Sequence, residues 1–252
     1  MRGHDDVMAL LLSSNADVTQ VDLDGETPLW WAARGGHTDI VKKLIKANSN
    51  LDGIDSNGRD TKTPLLCAAM NGHRATVGAL LAAGAEVAAM DKDGRNTLLW
   101  AAEYGWSDVV AQLVARNADV NVVDEDGEVA LWWAAKHGHL EMVESLIQAG
   151  ANVNRACPDR GAKITNAEAS APTPLWCAVQ QNHIRCVPTL VAAGADTDYV
   201  NDAGDTPLWW ALEHGYTEMA ETLLALSANV DKLAGTGKSP VWLAMRRNDA
   251  GL

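Results

Sequence analysis

Thr27-Pro28-Leu29-Trp30-Trp31-Ala32-Ala33 decides the fold of this chain, because the same heptad returns, with edits, six more times. Its last position falls at residues 33, 69, 102, 135, 179, 212 and 245, in steps of 36, 33, 33, 44, 33 and 33. The underlying period is therefore 33, with one insertion of three residues and one of eleven. Self-similarity at a fixed period of this length identifies an array of small stacked units and outranks the other signals in the sequence.

Each period repeats one grammar. An Asp-rich turn (Asp22-Leu23-Asp24-Gly25) leads to Thr-Pro, an Ala-rich segment, Gly36-His37, and an aliphatic stretch ending near Asn48. Thr27 suits an N-cap, and Pro28 the first helical position, where its missing N–H costs nothing. The Ala pair lets two helices approach closely. The segment 38–45 places Ile40, Val41, Leu44 and Ile45 on one face and charge on the other, so it reads as an amphipathic second helix. One such unit cannot bury its stripe, whereas a stack can.

This grammar resembles the ankyrin repeat, whose unit begins Thr-Pro-Leu-His-x-Ala-Ala and continues through Gly-His into a second helix. The resemblance covers essentially the whole chain. Asp91-Lys92-Asp93-Gly94 and Asp124-Glu125-Asp126-Gly127 keep the turn, Gly72-His73 and Gly138-His139 keep the loop between helices, and Ala118-Asp119-Val120-Asn121 and Ala151-Asn152-Val153-Asn154 keep the exit. Where the family carries His in its opening motif, this chain carries Trp30, Leu66, Leu99, Trp132, Trp176, Trp209 and Trp242. The resemblance implies an all-α solenoid of helix-turn-helix units joined by short hairpin turns, with about six full repeats and a half repeat at each end. The reading is a single array over 1–252: a half repeat at 1–21, repeats starting near 22, 55, 91, 124, 157 and 201, and a partial repeat at 234–252. Gly3-His4-Asp5-Asp6-Val7 aligns with Gly36-His37-Thr38-Asp39-Ile40, so the first helix is a second-helix type. It is apolar on nearly all sides and expects a cover, from a further repeat of a longer polypeptide, a partner or a second copy.

Composition narrows the partners. The net charge of −13 over 252 residues disfavours nucleic acid, which draws on a surplus of Lys and Arg. A neutral or basic protein partner fits better. The apolar runs fall short of the roughly 20 residues a membrane helix needs, and no signal peptide precedes the first repeat, so the expected setting is intracellular, cytoplasmic or nuclear. Cys67 and Cys177 hold equivalent positions three repeats apart, and Cys157, Cys177 and Cys186 lie on a loop and two different helices; reduced thiols are expected. The histidines at 4, 37, 73, 139 and 183 occupy the Gly-His loop. The His137-His139 pair has no further ligand at zinc spacing, the glycines are too scattered to cradle a phosphate, and no cofactor or metal is expected.

Ten tryptophans and no phenylalanine set this chain apart. With Leu29 at 0°, about 100° per residue places Trp30 beside the buried direction and Trp31 opposite it. The first-position set, residues 30, 132, 176, 209 and 242, is expected to pack between repeats. The second-position set, Trp31, Cys67, Trp100, Trp133, Cys177, Trp210 and Leu243, is expected to form an exposed apolar stripe on the concave side. Such stripes mark contact surfaces, and Trp is common at interface hot spots. The residues three and four further on supply a polar rim. The candidate groove is thus Trp31, Trp100, Glu103, Tyr104, Trp133, Lys136, His137, Trp210, Glu213 and His214.

The leading reading is a non-enzymatic scaffold, part of a larger protein, that binds a protein or peptide with spaced apolar anchors along this groove. A second reading has two Trp beside Glu103 or Glu213 enclose a methylated lysine or another quaternary ammonium. A third uses the groove for a small molecule or for catalysis, with His137 or His214 as acid or base. Self-association through the array ends is a further possibility. The eleven-residue insertion within 157–172 is expected to protrude, and Pro188, early in a second helix, makes the fifth repeat the least regular.

Overall fold

Threonine followed by proline starts helix after helix in this chain. In the computed structural model, which describes residues 5–53, 62–157, 172–201 and 203–247, the hydroxyl of Thr27 accepts the Trp30 N–H at 3.1 Å. Thr63, Thr173 and Thr206 do the same for Leu66, Trp176 and Trp209. Asn96 substitutes its side-chain carbonyl for the hydroxyl, accepting from Leu99 at 3.0 Å. Val129 has no acceptor to offer, and the helix after it starts without a side-chain cap. An N-cap of this kind contributes about 1 kcal/mol.

The helices fall into two compact units, 1–122 and 123–252. The first holds α1 (Asp5–Ser13), α2 (Pro28–Arg34), α3 (Thr38–Lys46), α4 (Pro64–Met70), α5 (Arg74–Ala83), α6 (Thr97–Glu103) and α7 (Ser107–Ala115). Within this unit α2 packs on α3 and α4, α4 on α5 and α6, and α6 on α7. The longer helices form their own row, α1 on α3, α3 on α5 and α5 on α7. The second unit repeats this plan with α8 (Ala130–Lys136), α9 (Leu140–Gln148), α10 (Pro174–Gln180), α11 (Cys186–Ala192), α12 (Pro207–His214), α13 (Thr217–Ala225) and α14 (Pro240–Arg247). Leu29, Ala33, Val41 and Leu44 are fully buried in the first repeat, so its core is one Leu-Ala seam against the amphipathic stripe of α3.

The Gly-His loop is a structural device, as the sequence suggested. His73 Nε2 donates to the carbonyl of Arg34 in the preceding repeat at 2.9 Å, and His183 Nε2 donates to that of Lys136 at 3.0 Å. Each ring thereby covers the open end of the short helix one repeat back. Gly36 and Gly138 face these rings in the left-handed region, with φ of 69° and 72°.

Pro188 reshapes the fifth repeat. Residues 184–185 form a turn, and α11 starts only at Cys186. Proline cannot donate to the carbonyl of Ile184, and the turn closes instead through Cys186 to His183 and Val187 to Ile184. The three-residue insertion around 59–62 lies outside the described residues except for Lys62, and the long insertion lies outside them over 158–171. At α1, Leu10 is 66% exposed, and Val7 and Leu11 are exposed too. The apolar surface there is open in this chain, consistent with its expected need for a cover.

Candidate functional site: the tryptophan-bearing short helices

The first-position tryptophans are interior. Trp30, Trp132, Trp176 and Trp209 are buried, and only Trp242 is exposed. The Trp30 indole N–H reaches the next repeat, donating to the Lys62 carbonyl at 3.0 Å.

The second-position set departs from the expected exposed stripe. Trp133 is 6% exposed, Cys67 3%, Cys177 2% and Leu243 4%, while Trp31, Trp100 and Trp210 are half-buried. For Trp31 and Trp100 the cause lies in the turn before the helix. Asp22 Oδ1 accepts the N–H groups of Asp24 and Glu26 at 3.0 and 2.9 Å, while Oδ2 accepts the Trp31 indole N–H at 2.9 Å. Asp91 is used in the same way, bonding Asp93 and Arg95 with one oxygen and the Trp100 indole with the other at 3.1 Å. One carboxylate builds the turn and pulls the ring back onto it, so the indole lies along the turn and does not stand out from the helix.

The rim residues then cover the rings. In the first unit the Arg34 guanidinium lies 5.3 Å from both Trp30 and Trp31. Trp100 has Arg95 over its face at 3.9 Å, and Tyr104 stacks on it at 5.9 Å and on Trp106 at 5.0 Å. Arg95 is buried and is ion-paired with Glu103. The exposed Tyr104 hydroxyl donates to the Met70 carbonyl at 3.2 Å. Partial burial, and after it the Glu103 charge, raise the Tyr104 phenol above its usual range, against the Arg95 guanidinium.

The second unit shows two arrangements. Around Trp133, Lys136 places its ammonium 4.2 Å from Trp132 and 5.1 Å from Trp133, and His137 stacks on Trp133 at 5.5 Å. His139 lies 5.9 Å from His137, and its imidazole is less basic than usual because of burial and the neighbouring His183. Around Trp210, the His214 ring stacks at 3.9 Å and its Nδ1 donates to the Trp210 carbonyl at 2.9 Å, while Trp176 meets the indole edge-on at 5.8 Å. Glu213 is exposed beside it. Asn201 stands where Asp22, Asp91 and Asp124 stand before Trp31, Trp100 and Trp133, and the Trp210 Nε1 is buried without a hydrogen-bond partner.

Sequence reasoning placed Trp100 with Glu103 and Tyr104, and Trp133 with Lys136 and His137, and each set is together within its own unit. It missed Asp22, Asp91, Arg95 and Glu128. The signal for the acids is an Asp nine residues before the second Trp, at 22, 91 and 124. Asp124, Asp126 and the fully buried Glu128 gather oxygens within 4.8 Å of one another; the Glu128 N–H donates to Asp124 Oδ1 at 2.8 Å, so the turn itself brings them together.

Stacked helix-turn-helix units, Thr-Pro helix starts and loop histidines bridging successive repeats define a helical repeat protein. Residues 1–91, 83–157 and 160–234 each match the family described as "Ankyrin repeats (3 copies)", and the chain belongs to the ankyrin repeat family. Among solved structures it is similar to the human ASB11 ankyrin repeat domain, with 28% identity, a TM-score of 0.65, and coverage of 86% of this chain and 91% of that one. It is equally similar to an ankyrin repeat domain from Acinetobacter baumannii, with 28% identity, a TM-score of 0.65, and coverage of 80% and 98%. No curated protein matches the sequence. Ankyrin repeat domains are in general protein-binding scaffolds and typically not catalytic. No helix among the described residues is long and apolar enough to cross a membrane.

Proposed function

We propose that this chain is a non-enzymatic intracellular scaffold that binds a protein segment across the tryptophan-bearing short helices. The observation carrying the reading is that Trp31 and Trp100, hydrogen-bonded to Asp22 and Asp91, and Trp210, stacked against His214, are still partly open to solvent, each bordered by polar side chains. Rings held in this way present aromatic area with little entropy left to lose on binding. The negative balance of the chain supports a neutral or basic partner. Four buried cysteine thiols support a reducing setting.

A second reading, recognition of a cationic group, is favoured by one feature: the indoles already carry cations of this chain, Arg95 over Trp100 at 3.9 Å most closely. Both readings are tested by selecting a random peptide library on the full chain and following the indole N–H resonances of the bound complex. Peptides that shift the Trp31, Trp100 or Trp210 signals, and lose affinity on Trp100→Ala or Trp210→Ala, support the reading. Peptides that bind while every indole signal stays in place overturn it.

A further inference from the structure

Two positions frame the second-position tryptophans: the residue five before and the residue three after. For Trp31 they are Glu26 and Arg34, for Trp100 Arg95 and Glu103, and for Trp133 Glu128 and Lys136. Each pair carries one acid and one base, and in each the base sits over an indole, with Arg34 at 5.3 Å, Arg95 at 3.9 Å and Lys136 at 4.2 and 5.1 Å. For Trp210 the two positions are Asp205 and Glu213, both acids. Among the described residues no lysine or arginine lies over the Trp210 ring, and neither acid is in an ion pair.

We infer that the Trp210 site takes an arginine side chain from a partner protein, its guanidinium lying on the indole between Asp205 and Glu213. The inference rests on the reading of these helices as a protein-binding surface and names what one part of it recognises. The bound geometry already exists in the other unit. Glu213 holds the place of Glu103, which grips the Arg95 guanidinium, and Trp210 holds the place of Trp100, on which that guanidinium rests. In the sixth repeat the arginine has been replaced by a carboxylate, leaving the acceptor and the ring and adding a second acceptor. Burial, and after it the charge of Glu213, raise the Asp205 carboxyl above its ordinary range, against one backbone N–H from Gly235. A cation placed between the acids relieves that repulsion. His214 stacked on the ring and Trp176 at its edge narrow the approach. A flat guanidinium suits such an opening and offers N–H donors to both carboxylates, whereas a trimethylammonium group is bulky and has none to offer.

The test titrates N-acetyl-arginine amide into the 15N-labelled full chain and follows the Trp210 indole N–H, assigned with Trp210→Phe. We expect a saturable shift of this signal while the Trp100 signal, whose ring Arg95 covers, stays in place. Glu213→Gln should weaken the response about tenfold, the loss of one charge-assisted contact. Asp205→Arg should abolish it while keeping the fold, because it rebuilds the set found at Trp100. A Trp210 signal that does not saturate, a stronger response to N-acetyl-trimethyl-lysine amide, or an Asp205→Arg chain that responds like the wild type would each overturn the inference. Library peptides that shift Trp31 or Trp100 while arginine amide leaves Trp210 unmoved would remove the arginine site alone and leave the wider binding surface standing.

Discussion

Truncating Trp133 to alanine separates a ring packed into the array from one standing on its surface. Trp133 is 6% exposed, meets Trp132 edge-to-face at 5.1 Å, and lies under His137. A buried tryptophan hides on the order of 200 Å², about 150 Å² more than alanine hides at the same place, worth about 4 kcal/mol at 25 cal/mol per Å². Compaction of the unfolded chain trims this figure and the residual cavity restores part of it, so the expected loss is about 3 kcal/mol. Trp132, at 1% exposure, should lose about as much. Trp31 is half-buried and bonded to the exposed Asp22, so Trp31→Ala should lose about 2 kcal/mol. The assay is urea unfolding followed by far-UV circular dichroism, with amide hydrogen exchange to locate the weakening. In a repeat array it should concentrate in the mutated repeat and its neighbours. A Trp133→Ala protein within about 1 kcal/mol of wild type would refute the reasoning and return the ring to the surface.

Gly138→Ala should destabilise by about 2–3 kcal/mol, because φ is 72° and the new Cβ would lie 2.5 Å from the His183 ring that holds the Lys136 carbonyl. Gly150→Ala, at φ 86° with nothing within 4 Å of its Cβ, should cost only the backbone strain of about 1 kcal/mol; equal melting-temperature losses would remove the role given to His183. All four cysteines are buried and burial pushes the Cys157 thiol up to about 12, so the folded chain should release no thiol to Ellman's reagent at neutral pH and all four in urea, and a fast-reacting native thiol would contradict the packing. The Asp22 carboxyl sits below its ordinary 3.8, chiefly through the Trp31 indole N–H and then the Glu26 N–H. A lowered native value stabilises the fold above the ordinary carboxylate range and loses that contribution as pH falls through it. Trp31→Phe should therefore move the Asp22 midpoint back up in a carboxyl-carbon NMR titration, and an unmoved midpoint would dissociate the indole from the turn.

The fold was legible because repetition averages out local ambiguity: one Thr-Pro start is a weak helix signal, and the same start at a 33-residue spacing is not. The loop histidines were legible for the same reason, although their carbonyl partners at Arg34 and Lys136 belong to other repeats. The site was half legible. A helical wheel treats a side chain as a spoke, and on that drawing Trp31 points away from the core. Helical side chains lean toward the N-terminus of their helix, and a ring as long as indole reaches the turn before it, where Asp22 accepts its N–H. The information was present as a correlation the wheel cannot display: Trp31, Trp100 and Trp133 each follow an Asp by nine residues, Trp210 follows Asn201, and where the ring is replaced by Leu243 the residue nine before is Ala234. The rim obeys the same logic. At Trp100 the charge five residues before the ring and the one three after it meet across the indole, so the two must be read together. Read together, they single out Asp205 and Glu213 as two acids framing a tryptophan over which, among the described residues, no lysine or arginine lies.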